Sequence, residues 1–152
     1  MFKKILLATD GSPASGQAAQ VAVDLARTHG ARLTALYVVD PYTYLGIGET
    51  NPMGFQAYMS AAYEHANQAH ATIAALCVKD GKALDLQWRR GEDMHAADGI
   101  LQTAAQEGAD LIVVGSHGRT GFSLMLLGSI AAKVVSQAPI PVLVVPARTP
   151  AV

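Results

Sequence analysis

Residues 110–145 read DLIVVGSHGRTGFSLMLLGSIAAKVVSQAPIPVLVV. The apolar run Leu111–Val114 has the length of a buried strand and stops at Gly115. A loop holding Gly118 and Gly121 follows. Gly128-Ser129 then opens a stretch in which Ala131, Val134, Val135 and Ala138 recur with helical spacing. Pro139 and Pro141 stop that helix, and Val142–Val145 reads as another strand. The predicted unit is strand, glycine loop, helix, strand. Glycine, with no Cβ, takes positive φ and lets the backbone approach a ligand closely. A helix N-terminus carries unpaired N–H groups and a partial positive charge, so the two features together make an anion site, with phosphate the usual anion. Gly115, Gly118 and Gly128 are read as lining a triphosphate, against the plainer reading of turn and packing glycines. The Ser129 hydroxyl can cap the helix or touch a phosphate oxygen. A Walker loop is excluded because no Gly-Lys-Ser/Thr occurs, and the dinucleotide fingerprint because no G-x-G-x-x-G follows a strand.

Outward from this unit, Lys3–Thr9 is a short apolar strand ending at Asp10-Gly11-Ser12-Pro13. Ser12 suits a helix N-cap and Pro13 a first helical residue. Ala18, Val21, Ala22 and Leu25 then share one helical face, and Gly30 ends the helix. Arg32–Val39 is the second strand, parallel to the first through a right-handed crossover. Tyr42–Phe55 is read as a long loop. Met59, Ala62, Ala66, Ala69, Ile73 and Leu76 form the buried face of a longer helix, with Gly81 as its stop. In Ala83–Arg89, Leu84, Leu86 and Trp88 alternate with Asp85, Gln87 and Arg89, which predicts an edge strand with one wet face. Glu92 and Asp93, after Gly91, suit the N-terminus of a helix whose stripe is Ala97, Ile100, Leu101 and Ala104 and whose end is Gly108. Five strands alternating with four helices predict an α/β sandwich around a parallel sheet.

LIVVG followed by Gly-x2-Gly-x9-Gly-Ser and closed by PIPVLVVP, together with ATDGS at residues 8–12, resembles the universal stress protein family, from Lys3 to Pro146. The glycine motif is similar to that of the family's ATP-binding branch; the other branch lacks those glycines. The resemblance implies a Rossmann-like three-layer sandwich of the adenine nucleotide alpha hydrolase type, with strand order 3-2-1-4-5. Ligands in such sheets bind at the switch point between strands one and four. It also implies ATP as the ligand: Asp10 at the nucleotide, Val38 and Val114 against adenine, and the Ile130 N–H on the phosphates. Asp10 could hold Mg²⁺, which binds through a carboxylate or two plus phosphate oxygens, or it could cap the first helix. Valines supply the flat apolar slot that adenine needs, and both positions are equally compatible with ordinary core valine. His117 and Arg119 lie in the glycine loop, where they meet either phosphate charge or solvent. Two positions depart from recognisable pattern. Ala8 stands where some members carry proline, and Tyr42–Phe55 has no signature.

Val142–Val145 is apolar on both faces yet would be an edge strand, an aggregation hazard that pairing with a second copy resolves. The resemblance implies the same homodimer; cover by a loop or the tail is the alternative. The remaining bounds come from composition. A chain of 152 residues with 51% hydrophobic and 15% charged content is expected to form one domain over 1–152. Net charge is −1 with no Lys/Arg-rich run, so no nucleic-acid partner is expected. Phe122–Val135 is too short and too interrupted to span a bilayer, so no membrane partner is expected either. A single cysteine, Cys77, fits a reducing compartment, and the expected location is cytoplasmic. The histidines offer no i, i+4 pair; His65 and His70 are five apart. Nothing pairs a nucleophile with a base, and both a Walker lysine and an S-G-G-x-D-S loop are missing. The function read from the sequence is a cytoplasmic ATP-binding universal stress protein, a homodimer whose loops respond to nucleotide and present a surface to a downstream partner. The alternatives are an interaction protein that binds AMP, another adenylate or nothing, and, more weakly, a slow ATPase.

Overall fold

The computed structural model describes residues 1–39, 52–92, 94–117 and 127–147. In chain order the elements are β1 (Lys4–Thr9), α1 (Pro13–His29), β2 (Arg32–Val39), α2 (Pro52–Leu76), β3 (Val78–Lys79), β4 (Lys82–Ala83), β5 (Leu86–Glu92), α3 (Ala96–Glu107), β6 (Leu111–Gly115), α4 (Ser129–Gln137) and β7 (Val142–Val145).

Five strands form one parallel sheet in the order β5-β2-β1-β6-β7. Counted along the chain without the small hairpin β3–β4, that order is 3-2-1-4-5. Helices cover both faces, so the central strands are apolar on both sides rather than alternating. Ile5, Leu6 and Leu7 are each no more than 1% exposed. Ile5, Leu7, Leu33, Ala35, Leu111 and Val113 pack under α1 and the end of α2. Leu6, Leu36, Ile112 and Val114 pack under α3 and α4. At the open end of β2, Tyr37 and Val39 meet Ala66 and Ala69 of α2. Asp110 ties the start of β1 to the start of β6: its carboxylate accepts from the N–H groups of Lys3 at 2.8 Å and Lys4 at 3.1 Å.

The two edges differ. At the β5 edge, ion pairs join Arg32 to Asp85, Arg89 to Glu107 and Arg90 to Glu92, a charged trim that discourages strand addition. Among the described residues no ion pair borders β7, and Leu143 is 36% exposed.

Several local expectations are corrected. Gly81 does not stop α2. The helix ends at Leu76, and Asp80 and Gly81, at φ 52° and 72°, form the two-residue turn of the hairpin β3–β4, where two successive positive φ values suit Asp-Gly. The third strand of the sheet therefore runs over Leu86–Glu92, not Ala83–Arg89, although it does lie at the edge. Gly91 and Glu92 belong to that strand, and α3 starts at Ala96 with His95 as N-cap and Asp98 as its first-turn acid. In α1 the buried face is Ser15, Ala18, Ala19, Ala22, Val23 and Ala26, which leaves Val21 and Leu25 at its margin. Small residues face the sheet because the helix packs close to it. Residues 52–55, expected in a loop, open α2; the rest of that loop, residues 40–51, lies outside the described residues. Among the described residues, no helix is long and apolar enough to cross a membrane.

Candidate functional site

Two turns meet at the carboxyl ends of β1 and β6, on either side of the point where the strand order reverses. The turn after β1 is held by its own side chains. Asp10 Oδ1 accepts from the Ser12 N–H at 2.9 Å, and Gly11 takes φ 74°. Ser12 Oγ accepts from the Ser15 N–H at 3.2 Å and so caps α1 as its sequence predicts, with Pro13 beginning the helix. The Ser15 hydroxyl donates to the Ser12 carbonyl at 2.8 Å and lies 3.1 Å from Thr9 Oγ1, which accepts from the Gly11 N–H. One Asp10 oxygen thus closes the turn before α1, but the cap of that helix, weighed for Asp10, is Ser12.

The turn after β6 is organised by a residue the sequence reading passed over, Ser116. Its N–H donates to the Val145 carbonyl at 2.9 Å, and its carbonyl accepts from the Gly128 N–H at 2.7 Å. Its hydroxyl sits 3.0 Å from His117 Nδ1 and accepts from the Ala147 N–H at 3.3 Å. Ser116 is 6% exposed and joins β6, the start of α4 and the segment after β7. A serine after a strand-ending glycine carries no distinctive signal, which is why it was missed.

Gly115 and Gly128 keep their place at this crevice, for reasons of space rather than positive φ. A methyl group on Gly128, at φ −66°, would stand 2.9 Å from the Ser116 carbonyl oxygen. One on Gly115 would stand 3.4 Å from the His117 carbonyl oxygen and 3.8 Å from that of Ala14. Gly115 thus brings the end of β6 against the start of α1, and Gly128 brings the start of α4 against the end of β6. Ser129 is not the cap: Gly128 is, and α4 begins at Ser129 with no side-chain cap bond and no acid in its first turn. Ser129 and Ile130 are exposed, Ile130 at 44%. The first N–H groups of a helix point back along its axis. Here the helix start adjoins the end of β6, where Gly128 bonds Ser116. Lys133 of α4 bonds Asp98 of α3 at 2.7 Å, and this bond keeps the Asp98 carboxyl below the usual carboxylate range.

Val38 and Val114 share the α3–α4 face of the sheet but are not neighbours, since β1 lies between their strands. Val114 is 3% exposed and packs as core, so only its backbone faces the crevice; Val38 is half-buried. Gly118 and Arg119 lie outside the described residues. A cleft of about 200 Å³ opens on the other flank of the β1 turn, between α1 and α2, beside Gly11, Ser12, Gly16, His65 and Thr72. Among the described residues, no group of three His, Cys, Asp or Glu side chains could hold a metal by itself.

A sequence model of the universal stress protein family matches residues 1–146. A Thermus aquaticus protein named for its place, the universal stress protein in the QAH/OAS sulfhydrylase 3′ region, is 42% identical over 147 residues, spanning 95% of this chain and 99% of the relative. The structure of the universal stress protein UspA from Lactobacillus plantarum superposes with a TM-score of 0.81 at 29% identity, covering 94% of this chain and 97% of that one. The universal stress protein of Archaeoglobus fulgidus solved with dAMP has a TM-score of 0.63 at 20% identity, over 95% and 97% of the two chains, a likeness of fold.

Proposed function

The chain belongs to the universal stress protein family, and from that premise we propose that it is a nucleotide-responsive module that binds ATP at the crevice between the β1 and β6 turns. The observation that carries this reading is the start of α4. A helix without a side-chain cap or a first-turn acid starts against the end of β6, where Gly128 lets the two backbones approach. The N–H groups and positive end of a helix start favour a phosphate. The backbone of Gly115 and Gly118, with Arg119 beside them, would complete the phosphate site, and the Ser129 hydroxyl and the Ile130 N–H would add donors. The base would lie toward Val38 and the Val114 backbone. Mg²⁺ fits only as a phosphate-bound ion touched by Asp10, because the described residues offer no carboxylate cluster to hold it alone.

Charge-assisted hydrogen bonds contribute about 1.5–3 kcal/mol each, so three or four of them do little more than offset a binding cost of roughly 4–15 kcal/mol, and burial of the base supplies the rest of the affinity. Position without activation is what such a site supplies, so ATP is held rather than turned over quickly. In this reading the chain is one cytoplasmic domain. It pairs with a second copy through Val142–Val145, the edge strand that no ion pair borders among the described residues, and presents a nucleotide-dependent surface to a further protein.

One observation favours a second reading. The missing Cβ of Gly128 is accounted for by the Ser116 carbonyl alone, as in a packing glycine of an interaction module that needs no nucleotide. Native mass spectrometry of the protein as purified, followed by calorimetric titration with ATP and Mg²⁺, separates the two. A dimer carrying or taking up ATP supports the first reading. A protein that ignores millimolar ATP refutes it and leaves the second.

A further inference from the structure

We infer that Met94, between β5 and α3, closes the base slot and determines which bases the site accepts; the inference rests on the nucleotide reading above. Gly91 at the end of β5 and Gly99 in the first part of α3 both lack a side chain where Met94 lies. A methyl group on Gly99 would stand 2.8 Å from Met94 Sδ and 3.0 Å from Val38 Cγ2. One on Gly91 would stand 3.4 Å and 3.5 Å from the same two atoms. A single thioether therefore fills the space that two glycines leave open, and it lies beside Val38.

Met94 also lines a cleft of about 190 Å³ whose border carries Leu36 and Thr103 together with the charged side chains of Arg89, Arg90, Glu92 and Glu107. Met94 thus borders both Val38 and that cleft. It is half-exposed, whereas Gly99 behind it is buried. Methionine suits such a wall: it is unbranched, fills irregular gaps and makes favourable sulfur–ring contacts. Cutting it back to alanine joins the slot at Val38 to the cleft and makes room for a substituent on the base.

The test is calorimetric titration of the wild type, Met94→Ala and Met94→Leu with ATP, N6-benzyl-ATP, 8-bromo-ATP and inorganic triphosphate. Met94→Ala is expected to lose at least about tenfold of the wild type's discrimination against one of the enlarged bases, the order that a few methylenes in an apolar pocket command. Met94→Leu, which conserves volume, is expected to keep that discrimination, and triphosphate affinity to be the same in all three proteins. Met94→Val takes the place of Met94→Ala if circular dichroism shows the latter unfolded. Unchanged discrimination in the folded, shortened variant overturns the inference while leaving ATP binding in place. An equal loss for triphosphate also overturns it, because Met94 would then act on the whole site. Absence of ATP binding in the wild type removes the nucleotide reading and this inference with it.

Discussion

Gly128→Ala is the substitution that probes the crevice most directly. The added methyl would sit 2.9 Å from the Ser116 carbonyl oxygen and 3.5 Å from His117 Cα, the first roughly half an ångström short of an ordinary 3.4 Å contact. Neither atom belongs to a flexible side chain that can swing aside. The carbonyl is fixed because it accepts from the Gly128 N–H at 2.7 Å, and the Ser116 N–H is fixed on Val145 at 2.9 Å. The start of α4 or the end of β6 must therefore move. Overpacking costs about 1–3 kcal/mol and exchanging glycine for alanine at an N-cap adds roughly 0.5–1 kcal/mol. A net loss of about 2–3 kcal/mol corresponds to a fall in Tm of roughly 5–10 °C in a chain of this length. Urea unfolding followed by circular dichroism reads the first figure, and a thermal melt the second. ATP affinity is expected to fall with them, since the displaced element is the one proposed to hold phosphate. Ser129→Ala is the companion experiment. Ser129 is exposed and makes no cap bond, so its loss should leave Tm within about 1 °C while weakening ATP about tenfold, the worth of one charge-assisted hydrogen bond. A Gly128→Ala protein as stable as the wild type would refute the geometric argument. A destabilised Gly128→Ala beside a Ser129→Ala that binds ATP normally would make Gly128 a packing residue.

Three further outcomes are expected. Asp110→Ala removes the acceptor of both the Lys3 and Lys4 N–H groups; the partly exposed site should cost about 1–2 kcal/mol in urea titration with an unchanged m-value. Burial pushes the Cys77 thiol above its ordinary pKa, and the residue is 3% exposed; its reaction with a disulfide reagent at neutral pH should be slow and should accelerate at least about a hundredfold once urea opens the chain. Asp98 has its pKa lowered by the bond from Lys133. A depressed carboxylate contributes stability above its unfolded value, near about 3.9, and loses it as pH falls through the folded value. Between pH 5 and pH 2 the wild type should therefore lose more stability than Asp98→Asn, and an equal loss in both would disprove the pairing.

Much of the fold was legible because few positions decided it. Ser12-Pro13 marked the start of α1, Gly30 and Gly108 marked helix ends at φ 63°, and the doubly apolar runs marked strands covered on both sides. What failed to read was local and has physical causes. Asp80-Gly81 is a turn signal for a hairpin as much as for a helix end, and only the pairing of Val78 with Ala83 decides between them. The inner face of α1 is alanine and serine, whose weak hydrophobicity let Val21 and Leu25 draw the predicted stripe to the wrong side. At the site, the glycine spacing could not tell close approach to the chain's own backbone from close approach to a ligand, because both leave the same residue; at Gly128 the Ser116 carbonyl supplies the first. Ser116 stayed invisible for a related reason: its role lies mostly in its backbone and in contacts to residues far along the chain.

The helix starts at the carboxyl end of the sheet show how the chain distributes its donors. α1 spends its first N–H groups on Ser12, with Asp10 closing the turn before it. α3 lacks a side-chain cap but carries Asp98 in its first turn, where a carboxylate offsets the helix dipole. α4 has neither device. The absence does not follow from the capping position alone: serine there would serve α4 as it serves α1, but any Cβ at residue 128 would meet the Ser116 carbonyl. Close packing of α4 on β6 and an uncapped helix terminus are thus consequences of one contact. Relaxing that contact by substitution would admit a cap and, on the proposed reading, remove the phosphate site in the same step.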